Sequence, residues 1–280
     1  MATRLVMGTP SGSSTPRGVE LLAQGTSPRR GAPSTPTLGQ RDAIFWARRT
    51  MTGDATPRVV SLVPSFTETL SAWGVTPVAC TRFCERPDLD HVGGTKNPDV
   101  ARIIALAPDL VVVDAEENRR EDYDDLRAAG LNVFASDVRG LDDVASTLED
   151  LARQLARPFD PVTLPAPASR RRRAFVPIWR RPWMALGRPT YGAAVLAHLD
   201  VETVGPEGPY GETSLDEVTA LAPDLVLAPS EPYPFSTRHV AELSQVAPVI
   251  LLDGRDLFWW GVRTPGALAR LERVLHDANL

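Results

Sequence analysis

Residues able to contact a ligand crowd into short loops of this 280-residue chain. The first half contributes Ser65, Phe83, Thr95, Lys96, Asp114, Glu116 and Glu117. The second contributes Trp179, Arg180, Trp183, Tyr210, Glu231, Tyr233, Phe235, Arg255, Trp259, Trp260 and Arg263. These loops follow segments that read as β-strands, and in open α/β sheets ligands bind beyond the C-terminal strand ends. Four of the six tryptophans fall there. An aromatic ring on a loop offers a flat apolar face with a polar edge, which suits a large planar or partly apolar ligand. Lys96 is the one lysine among 30 basic residues. With Arg180 it could pair with carboxylates on a ligand rim, whereas Glu116 and Glu117 disfavour a strongly anionic ligand.

Catalytic chemistry finds little support in the same residues. His91, His198, His239 and His276 are scattered, and His198 and His276 fall late in predicted helices, where the helix dipole explains them. Cys80, Cys84 and His91 match no zinc spacing. No phosphate-binding glycine loop, dinucleotide fingerprint or nucleophile elbow is present. Adjacent acids such as Glu116-Glu117 are ordinarily solvated. Ser65 and Glu68 have the spacing of a helix capping box, which makes Glu68 a cap rather than a site residue.

The elements that must position these loops come in two copies. Ala-Leu-Ala-Pro-Asp-Leu occurs at 105–110 and again at 220–225, each time ending a helical stretch and entering an apolar strand. Val63-Pro64 answers to Val176-Pro177, and Asp137-Val138-Arg139-Gly140-Leu141 to Asp253-Gly254-Arg255-Asp256-Leu257. An offset near 115 residues is too long for a solenoid repeat and fits a whole small α/β lobe. The expected strands are 58–63, 78–81, 110–113, 131–136, 173–178 and 225–228. The expected helices are 66–73, 119–129, 141–157 and 265–277, with one more beginning at Pro98. Strands alternating with helices imply parallel sheets. The expected organisation is a tail at 1–57, a first lobe at 58–140, a connecting helix and Pro/Arg-rich linker at 141–172, and a second lobe at 173–280. Between two such lobes lies a cleft able to take a small molecule.

Composition narrows the partners. Net charge is -5, and because residues 1–57 hold seven arginines against Glu20, Asp42 and Asp54, the folded part is more acidic still. That argues against nucleic acid, whose phosphates need clustered cations. Two cysteines make no disulfide framework; Cys80 and Cys84 would form either a strained bridge or two free thiols suited to a reducing compartment. No apolar run approaches a membrane span. Residues 1–40 hold 22 Gly, Pro, Ser or Thr and no apolar leader core. A disordered tail is expected there, with Met51 as an alternative start.

The run Arg58-Val-Val-Ser-Leu-Val-Pro-Ser-Phe-Thr-Glu-Thr-Leu70, the segment Val92-Gly-Gly-Thr-Lys-Asn-Pro-Asp99 and both Ala-Leu-Ala-Pro-Asp-Leu-Val segments resemble one family. It is the helical-backbone metal receptor superfamily, the iron-siderophore and cobalamin substrate-binding proteins of ABC importers. The resemblance covers about 58–280. It implies two Rossmann-like lobes with parallel sheets joined by a single connecting helix, and a cleft where aromatics from both sides hold a metal chelate unchanged. Phe83, Trp179 and Tyr210 stand at aromatic positions of the cobalamin receptors, while Thr95 and Asp114 replace two others. The family docks on its permease with one acid per lobe; Asp216 keeps the second, and the first is Ala101 with Asp99 nearby. The ligand implied is a corrinoid, siderophore or haem-like chelate containing cobalt or iron, with no intrinsic cofactor, in a monomer. The tail implies a non-exported, cytoplasmic relative sharing Phe-Val-Pro-Ile-Trp-Arg and Glu-Pro-Tyr-Pro-Phe motifs; the family itself implies an extracytoplasmic one. The competing reading is an intracellular enzyme or sensor acting on a tetrapyrrole or polar metabolite in the same cleft.

Overall fold

A computed structural model describes residues 56–167 and 171–278. The readings of a disordered tail and of Met51 as a start lie outside the described residues, as does 168–170 of the linker. Lobe one opens with β1 (Val59–Ser61), α1 (Pro64–Ala72) and β2 (Ala79–Cys80). Short strands follow, β3 (Asp90–His91), β4 (Gly93–Gly94) and β5 (Asn97–Pro98), then α2 (Val100–Ala105). β6 (Leu110–Asp114), α3 (Arg120–Ala128), β7 (Val133–Ser136) and α4 (Leu141–Gln154) complete it. Lobe two holds β8 (Arg172–Phe175), β9 (Pro177–Trp179), β10 (Trp183–Leu186), α5 (Tyr191–His198) and β11 (Val201–Thr203). It continues with β12 (Tyr210–Thr213), α6 (Leu215–Ala220), β13 (Leu225–Pro229), α7 (Thr237–Leu243), β14 (Val249–Leu252), α8 (Arg255–Phe258) and α9 (Thr264–Asp277).

Both main sheets are parallel and share one topology. Lobe one runs β3-β2-β1-β6-β7 and lobe two β11-β8-β13-β14, so β2-β1-β6-β7 repeats as β11-β8-β13-β14. Each strand is sided. Val59, Leu110 and Val112 join a core cluster that also takes Ala174, Val176, Leu225 and Leu227 from lobe two. The alternate residues Val60, Val111 and Val113 face a separate core in lobe one, and Phe175, Val226 and Ala228 another in lobe two. Parallel sheets are buried on both faces, and the period of two sends alternate side chains to opposite layers. The shared layer also takes Leu148 and Leu151 of α4, Leu196 of α5 and Leu268 and Leu271 of α9, so one hydrophobic core spans both lobes.

The repeated hexapeptide proves to be a clamp at the base of each lobe. In lobe one the Arg58 backbone N–H donates to Asp109 Oδ2 (2.8 Å), and the Arg58 guanidinium donates to the Leu106 carbonyl (2.8 Å) at the end of α2. In lobe two the Arg173 N–H donates to Asp224 Oδ2 (2.7 Å) and its guanidinium to the Leu221 carbonyl (2.6 Å). Ala107 and Ala222 both turn left-handed, at φ 46° and 48°, to reverse the chain out of the helix. The carboxylate thus covers the free N–H where the first strand begins, and the arginine covers a free carbonyl of the helix end. The motif is architectural.

Four expectations need correction. The helix after Pro64 has Val63 as its N-cap with no side-chain cap, so Ser65 and Glu68 form no capping box. The next helix begins after Asp99, whose side chain accepts from the Arg102 N–H (3.0 Å); Pro98 ends β5 instead. The segment read as one strand over 173–178 is two, because the chain turns at Val176 into β9, which joins β10 and β12 in an unforeseen antiparallel sheet. The connecting helix stops at Gln154, before 157: Ala156 turns left-handed at φ 50°, and Pro158 disfavours helical backbone at Arg157. From there the linker runs without regular structure, with Phe159, Val162 and Leu164 packed on the shared core. The Pro165 carbonyl lies 2.9 Å from His198 Nε2, so that histidine's role is to hold the linker.

Candidate functional site

A cavity of about 800 Å³ opens where the C-terminal strand ends of the two sheets face each other. Loops after β1 bring Val63, Pro64 and Ser65; those after β2 bring Arg82, Phe83 and Glu85; Thr95 comes from the β4–β5 turn, and β6 with its loop brings Asp114, Glu116 and Glu117. Across the gap stand Ile178, Met184, Tyr191, Gly192, Tyr210, Glu231 and Pro232, with Phe258, Trp259 and Trp260 after β14. Phe83 is half exposed at the mouth, with the Arg82 guanidinium 4.7 Å from its ring centre. Trp260 is buried at the base, edge-on to Phe66 at 4.7 Å.

Asn118 organises lobe one's side. Its Nδ2 donates to the carbonyls of Thr95 (2.9 Å) and Leu62 (3.3 Å), and its Oδ1 accepts from the Asp114 N–H (2.9 Å). Three loops are thereby tied to one amide. Asp114, nearly buried, accepts from Ser136 Oγ (2.6 Å) and from the N–H groups of Glu116 (2.9 Å) and Glu117 (3.3 Å). Burial still pushes its carboxyl above the ordinary range, because desolvation outweighs those bonds. Glu117 is pushed up the same way, with the Asp114 charge adding to burial. Glu231 is raised to about 7, again by burial first, against a hydrogen bond from Trp259.

Two contacts bridge the cleft. Tyr210 Oη donates to Glu116, linking β12 of lobe two to the loop after β6. Arg255 holds Asp253 through Nη2 (2.7 Å) and Nε (3.0 Å) and reaches Glu85 across the gap with Nη1 (2.9 Å). Deeper in, Arg263 joins the lobes a third time: Nε donates to Glu68 (2.9 Å), while Nη1 donates to buried Asp256, which also takes two bonds from Arg270 (2.8 and 2.7 Å).

The structure brings Ser65, Phe83, Thr95, Asp114, Glu116, Glu117, Tyr210, Glu231, Trp259 and Trp260 around the cavity. The other expected residues stand elsewhere. Trp179, Trp183, Tyr233 and Phe235 form a separate aromatic cluster with His239, Trp179 edge-on to Tyr233 at 5.5 Å and Trp183 stacked with Phe235 at 6.1 Å. Arg180 belongs to that cluster, paired with Glu242 (2.9 Å) and 5.9 Å from the Trp183 ring centre. The reason is strand siding: on the antiparallel sheet that begins at Pro177, Ile178 and Met184 face the cavity, so their neighbours Trp179 and Trp183 point to the opposite face. Lys96 donates to the Glu116 backbone carbonyl, Arg255 borders the cavity through Glu85, and Arg263 lies in the ion network behind it. Asp99 is a helix cap, while Asp216 is exposed in the first turn of α6.

Several lining residues escaped the sequence reading. Arg82 and Glu85 flank Phe83, so their loop could have been taken whole. Tyr191 and Gly192 begin α5, just past a strand, β10, that had not been foreseen. Among the described residues no group of three His, Cys, Asp or Glu could hold a metal, and no helix is long and apolar enough to cross a membrane. Cys80 and Cys84 are buried free thiols; Thr67 Oγ1 donates to Cys84 Sγ (3.1 Å), and Thr81 Oγ1 lies equally close.

Residues 59–160 match the family model described as periplasmic binding protein. A vitamin B12-binding protein of Yersinia pestis (strain Pestoides F) is 36% identical over 115 residues, which are 39% of this chain and 41% of the relative. The match therefore spans less than half of that relative's length. Among solved structures, the periplasmic vitamin B12-binding protein BtuF of Vibrio cholerae superposes with a TM-score of 0.64 at 21% identity, covering 80% of this chain and 98% of the other. A periplasmic heme-binding protein of Pseudomonas aeruginosa gives 0.64 at 19% identity, covering 80% and 94%. Residues 59–160 are thus similar to the periplasmic-binding-protein family model, and the described chain has the two-lobed α/β fold seen in these solved binding proteins.

Proposed function

We propose that the chain binds a metal chelate in the inter-lobe cleft and releases it unchanged, as a substrate-binding protein for import. The observation that carries this is a cavity of about 800 Å³ at the strand ends, faced by Phe83 from one lobe and by Tyr210, Phe258 and Trp259 from the other. Stacked rings remove water from both faces of a planar ligand and contribute roughly 1 kcal/mol each beyond area burial. The relatives that bind vitamin B12 and heme support the same ligand class.

Permease docking is part of this proposal. Asp216 offers an exposed acid on α6, whereas the matching position of α2 is Ala101 and neighbouring Asp99 is engaged as a cap. A one-sided or absent docking contact follows. The buried free thiols favour a reducing, cytoplasmic setting, which cell fractionation tests directly.

The binding test is titration with a corrinoid, hemin and a ferric siderophore, read by tryptophan fluorescence. At least one class should quench it saturably and be recovered chemically intact. Phe83→Ala and Tyr210→Ala should each weaken that binding about tenfold, or about 1.4 kcal/mol. Trp179→Ala, outside the cavity, should leave it unchanged. If no chelate binds at micromolar concentration, the reading is wrong.

A further inference from the structure

The charge of the cleft is lopsided. Glu85, Asp114, Glu116, Glu117 and Glu231 line it, against Arg82 alone. Cations near its edge are already committed: Arg255 to Asp253 and Glu85, and Lys96 to a backbone carbonyl. Arg82 sits over Phe83 and reaches Asn97 (3.4 Å). Among the described residues, Asp114, Glu116, Glu117 and Glu231 therefore have no ion-pair partner, Lys96 and Arg255 lying near them but bonded elsewhere. Asp114 is buried and Glu231 half-buried, each without an ion pair, while Glu116 and Glu117 stand exposed at the mouth; together they oppose any further negative charge and are relieved by a positive one.

We propose that this cleft selects its chelate by charge, taking cationic chelates with N–H-bearing rims and rejecting those rimmed by carboxylates or catecholates. This rests on the reading of the cleft as a chelate site and adds the ligand's electrostatic class to it. Glu116 and Glu231 stand on opposite lobes, so a bound cation is bracketed from both sides. Glu116 already accepts from Tyr210, which fixes its carboxylate toward the gap. An N–H rim can donate to acceptors that a carboxylate rim can only repel.

The titration behaviour follows. Glu231 is faced by Asp253, Arg255, Glu117 and the Trp259 indole; Asp114 by Ser136, Glu116 and Glu117; and Glu117 by Lys96, Asp114 and Glu116. With Glu231 raised to about 7, that carboxyl is partly protonated near neutrality, and burial shifts Asp114 and Glu117 in the same direction. Binding a cation lowers these values and releases protons, so affinity rises with pH.

The test uses four chelates on the full chain: diaquacobinamide, a ferric trihydroxamate bearing a free ammonium, hemin, and a ferric triscatecholate. The two cationic chelates should bind at least tenfold tighter than the two anionic ones, and their affinity should fall at least threefold from pH 8 to pH 5.5. Calorimetry in buffers of different ionisation enthalpy should show proton release. Glu116→Gln and Glu231→Gln should each narrow the cationic preference about tenfold while keeping the fold, checked by circular dichroism. Equal binding of the anionic chelates, or Gln variants with unchanged preference, overturns charge selection and leaves the chelate site standing. Failure of all four to bind overturns both.

Discussion

Removal of Arg263 should show how the two lobes are fastened together. Its side chain is only 14% exposed and touches acids of both halves, Glu68 on α1 and Asp256 on α8. Breaking a buried ion pair by deleting one partner costs roughly 3–5 kcal/mol, because the survivor stays buried and uncompensated. Asp256 keeps its two bonds from Arg270, which reduces the expected loss to about 2–3 kcal/mol. The Glu68 arm adds little, since that carboxylate is 36% exposed and such pairs contribute about 0.5 kcal/mol. Arg263→Met preserves most of the apolar stem, isolating the polar loss. Urea unfolding followed by circular dichroism should show a lower midpoint at unchanged slope, and the melting temperature should drop by roughly 5–10 °C. Arg263→Lys should fall between, because an ammonium cannot reproduce the fork that serves both acids. A loss below about 0.5 kcal/mol would place the network among ordinary surface pairs and refute the reasoning.

Asp109→Ala and Asp224→Ala should each lower stability by about 1.5–2 kcal/mol, and by similar amounts, because both remove a charged acceptor from the N–H that starts a first strand; unequal losses in chemical denaturation would deny the two clamps a common role. Ala107→Gly and Ala222→Gly should stabilise by about 0.5–1 kcal/mol each, as glycine adopts left-handed backbone without a Cβ penalty; a lower melting temperature would show that the alanine methyl packs usefully. Glu231→Gln should stabilise the protein increasingly as pH rises from about 4.5 to 7 and then level off, since a carboxyl raised by burial supports the fold while protonated and loses that contribution as it ionises. Unfolding free energies measured from pH 4 to pH 8 check this, and a pH-independent difference would contradict it.

The sequence carried the parallel architecture because that architecture repeats: buried β-branched runs, a proline that ends each helix and an aspartate that begins each strand recur in register. Loops after parallel strands could then be assigned by rule, which is how Phe83, Glu116, Glu231 and Trp259 came to the cavity. The rule misled where the strand was misread. The turn at Val176 is marked only by Pro177, which cannot donate to a central strand ladder but is masked because Phe175-Val176-Pro177-Ile178 is apolar throughout. Glu68 shows a different limit. Ser-x-x-Glu is a local signal, but Pro64 already occupies the first helical position, which leaves the glutamate to a partner 195 residues away that no local pattern announces.

A single core running through both lobes has a kinetic consequence. With Val59, Leu148, Val176 and Leu268 in one packed layer, the lobes cannot swing apart like hinged jaws without exposing apolar surface. Ligand arrival then needs no slow domain isomerisation, and the observed association rate should climb linearly with concentration without reaching a plateau. The barrier that remains is local: displacing Tyr210 from Glu116 and Arg255 from Glu85 at the rim. For the chelate proposed above, residence time is set by its own contacts with Phe83, Tyr210 and Trp259 and not by opening of the lobes.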